Sequence, residues 1–190
     1  MRIGKQDNNF TAIATSDAET ITVRGMDLCS ELIGRVGLTD YFFFLVTGTM
    51  PTELQRFFTD AVMVAIAEHG LVPSVQAARM TLAAAPEAVQ GAVAAGILGM
   101  GSVVAGSSEV SGRFIAGLLE KARESGADFE QVAHDGLAEL KAHRQKAPGI
   151  GHPQHAGGDP RADRLLGLAD EKGVSGDHVR MLRAMAAVSR

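Results

Sequence analysis

The chain has 190 residues, a single cysteine, a formal net charge of −4 and 46% hydrophobic residues. This length is enough for one domain with a full core, or for one domain and a small lobe. One cysteine excludes an internal disulfide framework and a four-cysteine zinc site, and an acidic charge without Lys/Arg clusters disfavours nucleic acid as a partner. The polar start lacks the pattern of a secretory signal, so we expect a cytoplasmic protein.

The first fifty residues predict extended structure followed by helices. Phe10 to Val23 mixes β-branched and turn-forming residues, which predicts two short strands or irregular structure. From Met26 onward the pattern is helical. Tyr41 to Val46 is apolar on every side, as expected of a helix at the centre of a bundle, and Gly48 is its predicted end.

Two further helices differ in the kind of signal that predicts them. Thr52, with Gln55 three residues later, is a capping-box pattern, and it predicts a helix that runs to His69 and stops at Gly70. Ala88 to Gly106 is an apolar stretch nearly long enough to span a bilayer, but it consists mostly of Ala and Gly and is weakly hydrophobic. We therefore expect a buried helix whose small residues admit close neighbours, and no membrane span.

The rest of the chain is helical apart from one loop. Residues Ala147 to Asp159 contain too many Gly and Pro residues for regular structure, and such loops commonly carry function. The predicted fold class is all-α. The remaining helices are predicted at Ser74 to about Ala84, Pro86 to about Gly99, Ser108 to Glu124, Asp128 to Lys146, Asp159 to about Lys172, and His178 to Val188.

Three separated stretches together resemble the citrate synthase superfamily. Ile21 to Asp27 (ITVRGMD) and Phe44 to Leu54 (FLVTGTMPTEL) resemble its amino-terminal run, although Met26 stands where an aromatic residue is usual. Ala67 to Arg79 (AEHGLVPSVQAAR) resembles the segment with the first substrate-binding histidine. Pro148 to Arg161 (PGIGHPQHAGGDPR) resembles the glycine-x-glycine-histidine loop and the aspartate-proline-arginine helix start that follows it.

The resemblance implies a single citrate synthase-like helical domain over residues 1–190, with the small subdomain beginning near 108–146 and the carboxy-terminal part of the family fold missing. It also implies an enzyme that forms or cleaves the carbon–carbon bond between acetyl-CoA and oxaloacetate, with a CoA thioester as co-substrate, no permanent cofactor or metal, and a homodimer. His69 and His152 would be the catalytic residues that hold the four-carbon acid, because imidazole donors stabilise the negative charge that develops on oxygen.

Two departures refine this prediction. Synthases carry a further histidine after the Ala/Gly-rich helix, but Gly99 to Gly112 contains none, and the citryl-CoA lyase branch, which includes the lyase module of ATP-citrate lyase, also lacks it. Ser102, Ser107 and Ser108 are candidate donors to the enolate. No aspartate after His152 matches the catalytic aspartate motif. A fragment, a naturally shortened relative and an inactive relative therefore stay open as alternatives.

The residues that would bind CoA have the weakest sequence signal. Pro153 replaces the arginine usual after the loop histidine. Arg161 is predicted to bind substrate and CoA phosphate, and Arg164 to bind CoA phosphate; a solvated helix face is the alternative for both.

Other readings have less support. His143, His152 and His155 could supply a zinc site but have no thiol or acidic motif beside them. Gly99 to Val104 lacks the strand that precedes a dinucleotide-binding loop. Cys29 has no activating histidine near it in sequence, so we expect a small buried residue. His134 and His143 are predicted to be surface residues.

Overall fold

The computed structural model describes residues 11–152, 155 and 157–189. The chain forms two compact units, one that ends at Glu68 and one that begins at His69. Each unit is described by itself.

The first unit begins with a small antiparallel sheet of three strands in the order β1-β2-β3. Strand β1 is Ala14–Ser16, β2 is Ile21–Val23 and β3 is Met26–Asp27. Arg24 and Gly25 form the β2–β3 turn with φ of 50° and 86°. The predicted strands before Val23 are confirmed, but the prediction of helix from Met26 is wrong, because Met26 pairs with Val23 in the sheet.

Helices complete the first unit. A π-helical turn spans Leu28–Leu32, helix α1 spans Leu38–Thr47 and helix α2 spans Glu53–Ile66. Gly48 ends α1 in the left-handed conformation, and α2 begins with a complete capping box, so both predicted signals are confirmed. The core of the unit contains Val23, Leu32 and Phe44.

Three predictions about this unit are wrong. Helix α1 is not enclosed, because Phe44 is its only buried residue. Helix α2 ends at Ile66, so His69 lies beyond the helix and not in its last turn. Cys29 is exposed and not a buried small residue.

The second unit contains six α-helices in the described part of the chain. Its core is formed mainly by side chains of the third, fourth and sixth of these helices, among them Leu118, Ala133 and Met181. The predicted helix starts at Asp128 and Asp159 are confirmed, since each side chain caps its helix. The helices are α3 Pro73–Ala84, α4 Val89–Met100, α5 Ser107–Ser125, α6 Phe129–Ala142, α7 Pro160–Glu171 and α8 Asp177–Val188, with a π-helical turn at Gly101–Ala105 between α4 and α5.

Helices α3 and α4 approach each other through small residues. A Cβ atom added at Gly99 would lie 3.0 Å from Ser74 Cα, and one added at Gly96 would lie 3.2 Å from Ala78 Cβ. The close approach predicted from the Ala/Gly composition is therefore confirmed. The predicted burial of this helix is wrong, because Ala92 is the only buried residue of α4.

The substitution Gly99→Ala is expected to destabilise the protein by about 1–2 kcal/mol, because the new methyl group forces the backbone of α3 to move and this outweighs the gain in helix propensity. The matched substitution is Gly112→Ala on α5, where an added Cβ meets no atom within 4 Å among the described residues. We expect that change to stabilise by about 0.5–1 kcal/mol. Urea unfolding measures both, and equal effects would contradict the role of Gly99.

One side of the second unit is apolar and exposed. Val89, Val93 and Ile97, spaced four residues apart on α4, are 58%, 56% and 64% exposed. In the described part of the chain one helical run, Val89–Ser125, is long and apolar enough to cross a membrane, and little of its most apolar window is buried. This is weak evidence because it rests on length and composition only, and at Gly101 the backbone of the run takes φ of 43° and ψ of −170°.

Candidate functional site

His69 lies in the short segment that leads into α3. The next residue, Gly70, has φ of 67°, a conformation that glycine adopts without strain. The backbone N–H of Val72 donates to the Gly70 carbonyl over 2.9 Å, and the side chain of Gln76 donates to the Leu71 carbonyl over 2.8 Å. These bonds hold the segment to the first turn of α3 and thereby fix the direction from which His69 enters the site.

His152 lies in the loop between α6 and α7, and the core of the second unit anchors this loop. Ile150, two residues before His152, packs against that core. Gly149 lies so close to Ser111 on α5 that a Cβ would overlap its hydroxyl oxygen. Gly149 and Gly151 have φ of 76° and 89°, so the breaker residues give the loop turns that other residues adopt only with strain.

The structure brings His69 and His152 together with a third imidazole, His155. The ring centroids of His69 and His152 are 5.3 Å apart, and those of His155 lie 5.4 Å from His69 and 4.7 Å from His152. One ring nitrogen from each of the three lies within 4.8 Å of the other two, and all three residues are partly buried. The side chains thus converge on one point, which is the arrangement that binding a single small group requires.

The Nε2 atom of His69 is buried and has no hydrogen-bond partner among the described residues. A buried polar atom without a partner has a desolvation cost of about 1–3 kcal/mol. A ligand that hydrogen-bonds this nitrogen would remove that cost. The cluster is therefore suited to a polar group that enters from outside the chain.

Asp159 and Arg161 lie at the start of α7, next to the imidazole cluster. The Arg161 guanidinium donates to both carboxylate oxygens of Asp159, over 3.0 Å from Nε and 2.6 Å from Nη2. The Arg161 backbone N–H also donates to Asp159 over 3.0 Å. The guanidinium holds the pKa of the Asp159 carboxyl well below its usual range, so Asp159 is a fixed carboxylate that orients Arg161.

The pKa of His152 lies below its usual value of 6.5, first because burial disfavours the imidazolium and then because His155 adds positive charge. Asp159 opposes this shift, whereas Arg161 and His69 contribute to it. Neutral pH therefore leaves His152 uncharged, with one nitrogen that donates a hydrogen bond and one that accepts it.

Because the folded-state pKa of His152 lies below 6.5, its contribution to stability is fully present above pH 6.5 and is lost as the pH falls through the folded-state pKa. We expect the wild-type protein to lose more stability between pH 7.5 and pH 5.5 than His152→Asn, which cannot titrate. Urea unfolding at the two pH values measures the difference. An identical loss in both proteins would contradict the neutral state of His152.

The other predicted residues lie in local contacts. Arg164 pairs with Glu171 over 2.7 Å on an exposed face of α7. The hydroxyl groups of Ser107 and Ser108 donate to carbonyls of the preceding turn, so a bond to an enolate would require these bonds to break. Asp170, one of the aspartates after His152 to which the sequence analysis assigns no role, accepts from Arg183 and forms an ion pair with it.

The residue of this cluster that the sequence analysis considered only as a possible zinc ligand is His155. It lies three residues after His152. The sequence placed both histidines in one loop but did not indicate that they converge with His69. Of the zinc candidates in the sequence, His143 is exposed and bonds the Glu139 carbonyl in its own helix. In the described residues the cluster that could hold a metal contains His69 and not His143. His134 and His143 are exposed, as predicted.

Comparison with known proteins gives one family match. The family model for the citrate synthase C-terminal domain matches residues 53–190. No curated protein sequence matches the chain.

Two solved structures are similar to the chain. The citryl-CoA lyase of Hydrogenobacter thermophilus is 27% identical with a TM-score of 0.79, over 95% of this chain and 67% of the lyase. The ATP citrate lyase of Methanothrix soehngenii, solved in complex with citrate and coenzyme A, is 21% identical with a TM-score of 0.75, over 98% of this chain and 29% of that chain. Because its identity is only 21%, the similarity to the ATP citrate lyase shows the fold alone. Both support the predicted mainly helical, citrate synthase-like fold, to which the three short strands are a small addition.

Proposed function

Because the chain belongs to the citrate synthase family, we propose that it is a citryl-CoA lyase or citrate synthase-like enzyme. It would cleave or form the carbon–carbon bond between the acetyl group of acetyl-CoA and oxaloacetate. The observation that supports this most directly is the convergence of His69 and His152, whose ring centroids are 5.3 Å apart.

In the proposed reaction the two imidazoles would act as hydrogen-bond donors to the four-carbon acid. In the cleavage direction the tertiary hydroxyl of citryl-CoA loses its proton, the carbon–carbon bond breaks and the ketone of oxaloacetate forms. The electron pair of the broken bond goes to the acetyl-CoA enolate, which then takes a proton at carbon. Donors at His69 and His152 would hold the four-carbon acid and stabilise the charge on its oxygen throughout.

Arg161 and Arg164 complete the proposed site. Arg161 would bind a carboxylate of the acid or a CoA phosphate, and its ion pair with Asp159 fixes the guanidinium before the ligand arrives. Arg164 would bind a CoA phosphate by exchanging its exposed partner Glu171 for the ligand. Because Gly99 to Gly112 contains no histidine, we favour the lyase branch, with Ser102 or backbone N–H groups as donors to the enolate.

The proposed assembly is a cytoplasmic homodimer without nucleic-acid or membrane partners. The exposed stripe of Val89, Val93 and Ile97 is an apolar surface of the kind that a second copy covers. The single exposed cysteine suits a reducing compartment.

The direct test is to incubate the purified chain with citryl-CoA and follow the release of oxaloacetate. In the reverse direction acetyl-CoA and oxaloacetate are supplied, and the assay follows the loss of acetyl-CoA together with the free thiol that appears if citryl-CoA is then hydrolysed. We expect turnover above the enzyme-free blank in at least one direction. A rate equal to the blank in both directions would contradict the proposed activity.

The second candidate is a non-catalytic relative that binds CoA or a dicarboxylate, or pairs with a full-length homologue. One observation favours it: no aspartate after His152 in this sequence matches the catalytic motif. Calorimetry with oxaloacetate separates the candidates, because binding without turnover supports this second one.

A further inference from the structure

The cluster contains one imidazole more than the proposed function uses. His155 lies as close to His69 and His152 as they lie to each other. The backbone N–H of Gly158 donates to the His155 carbonyl over 3.1 Å, so this bond ties His155 to the residue just before Asp159. His155 is therefore held between the imidazole cluster and the helix that carries Arg161.

The spacing of the nitrogens limits what the three rings can hold. Because the three nitrogens lie within 4.8 Å of one another, some point lies within about 2.8 Å of each of them, which is the length of an N–H···O hydrogen bond. Zinc needs nitrogens at about 2.0–2.1 Å, so each ring would have to move inward by up to about 0.7 Å. An oxygen atom fits the cluster as it stands.

A charged pair at the start of α7, Asp159 and Arg161, adjoins the cluster. The Arg161 guanidinium is close enough to His152 to contribute to the lowering of its pKa. The nearest carboxylate, Asp159, is already bonded to that guanidinium through both oxygens, and α7 directs the positive end of its dipole to the same side. A carboxylate bound at the cluster would therefore have the Arg161 guanidinium beside it as a positive partner.

We infer that His155 is a third binding residue of the acid site, which with His69 and His152 donates hydrogen bonds to a carboxylate group of the four-carbon acid. The inference rests on the proposed function, because the dicarboxylate is its ligand. The carboxylate would then be the hydrogen-bond partner of the buried Nε2 atom of His69, which has no partner among the described residues.

The test is calorimetric titration of the purified protein with oxaloacetate. His155→Phe keeps a ring and removes the donor, and we expect its Kd to rise by about tenfold or more, since a hydrogen bond to a charged group is lost. His155→Gln retains an N–H donor and is expected to recover part of the affinity. The control is His143→Phe, at the exposed residue that follows α6, and is expected to bind as the wild type does.

Three results would overturn the inference. One is an unchanged Kd in His155→Phe. Another is a loss of affinity accompanied by a lower unfolding midpoint and no recovery in His155→Gln, which would indicate a structural role. The third is stoichiometric binding of Zn²⁺ that requires His155 while oxaloacetate affinity does not. A wild-type protein that binds oxaloacetate but never turns over citryl-CoA would contradict the proposed activity and leave the role of His155 supported.

Discussion

Replacing His152 by alanine is expected to lower kcat for citryl-CoA cleavage by about 10²–10³-fold, the usual effect of removing one donor to a developing oxyanion. Burial, and then the electrostatic effect of His155, lower the pKa of His152, so the neutral imidazole predominates at neutral pH and donates through one N–H. Initial rates of oxaloacetate release over a range of citryl-CoA concentrations measure kcat and KM separately. A fall in kcat indicates a bond made mainly in the transition state.

The matched control for this substitution is His134→Ala, at an exposed histidine of α6 whose ring pairs with Asp135. It is expected to leave kcat unchanged. The double variant His69→Ala/His152→Ala is expected to lose less than the product of the single effects, because the two residues act on one ligand. A His152→Ala protein that folds as the wild type does and retains its kcat would contradict the assigned role.

Local signals in the sequence predict the helix boundaries well. Asp128 and Asp159 cap their helices as expected, and Thr52 with Gln55 forms the capping box, because these contacts involve residues within a few positions of one another. The end of α2 is different. The apolar pattern continues to His69, but the helix ends at Ile66, and no glycine or proline marks that position.

Burial is harder to predict because it depends on which elements meet. Helix α1 is apolar around its circumference, yet only Phe44 is buried. The apolar stripe on α4 is exposed for the same reason. Hydrophobic periodicity shows which face of a helix is apolar, but not which surface covers that face.

The candidate site depends on contacts between distant parts of the sequence. The family resemblance selected His69 and His152, although no local pattern indicated that the segment before α3 meets the loop before α7. His155 was not selected, because a third histidine in a loop carries no signal of its own until the fold brings it to within 5.4 Å of His69. The family resemblance predicted two of the three imidazoles, and only the tertiary structure supplies the third.

The second large effect is expected on the formation of the proposed homodimer. If two copies pair through the stripe on α4, the double substitution Val93→Glu/Ile97→Glu would place four carboxylates in the interface of one dimer. Burying unpaired charges costs several kcal/mol each, roughly, so we expect dissociation at micromolar concentration. Light scattering after gel filtration would show the mass falling from twice 19.9 kDa to 19.9 kDa. Both positions are more than half exposed in the chain, so the fold itself should persist, with an unchanged helical circular dichroism spectrum.

The control for the stripe is Val174→Glu, which introduces the same charge at a 37% exposed valine between α7 and α8, and it is expected to stay dimeric. A wild-type chain that elutes as a monomer, or a double variant that remains a dimer, would contradict pairing through α4.

Flotation with phospholipid vesicles tests whether a lipid surface, and not a second copy of the chain, covers the stripe on α4. Wild-type protein that floats with vesicles while Val93→Glu/Ile97→Glu does not would assign the apolar run to a lipid surface, because two charges on each stripe oppose insertion into hydrocarbon.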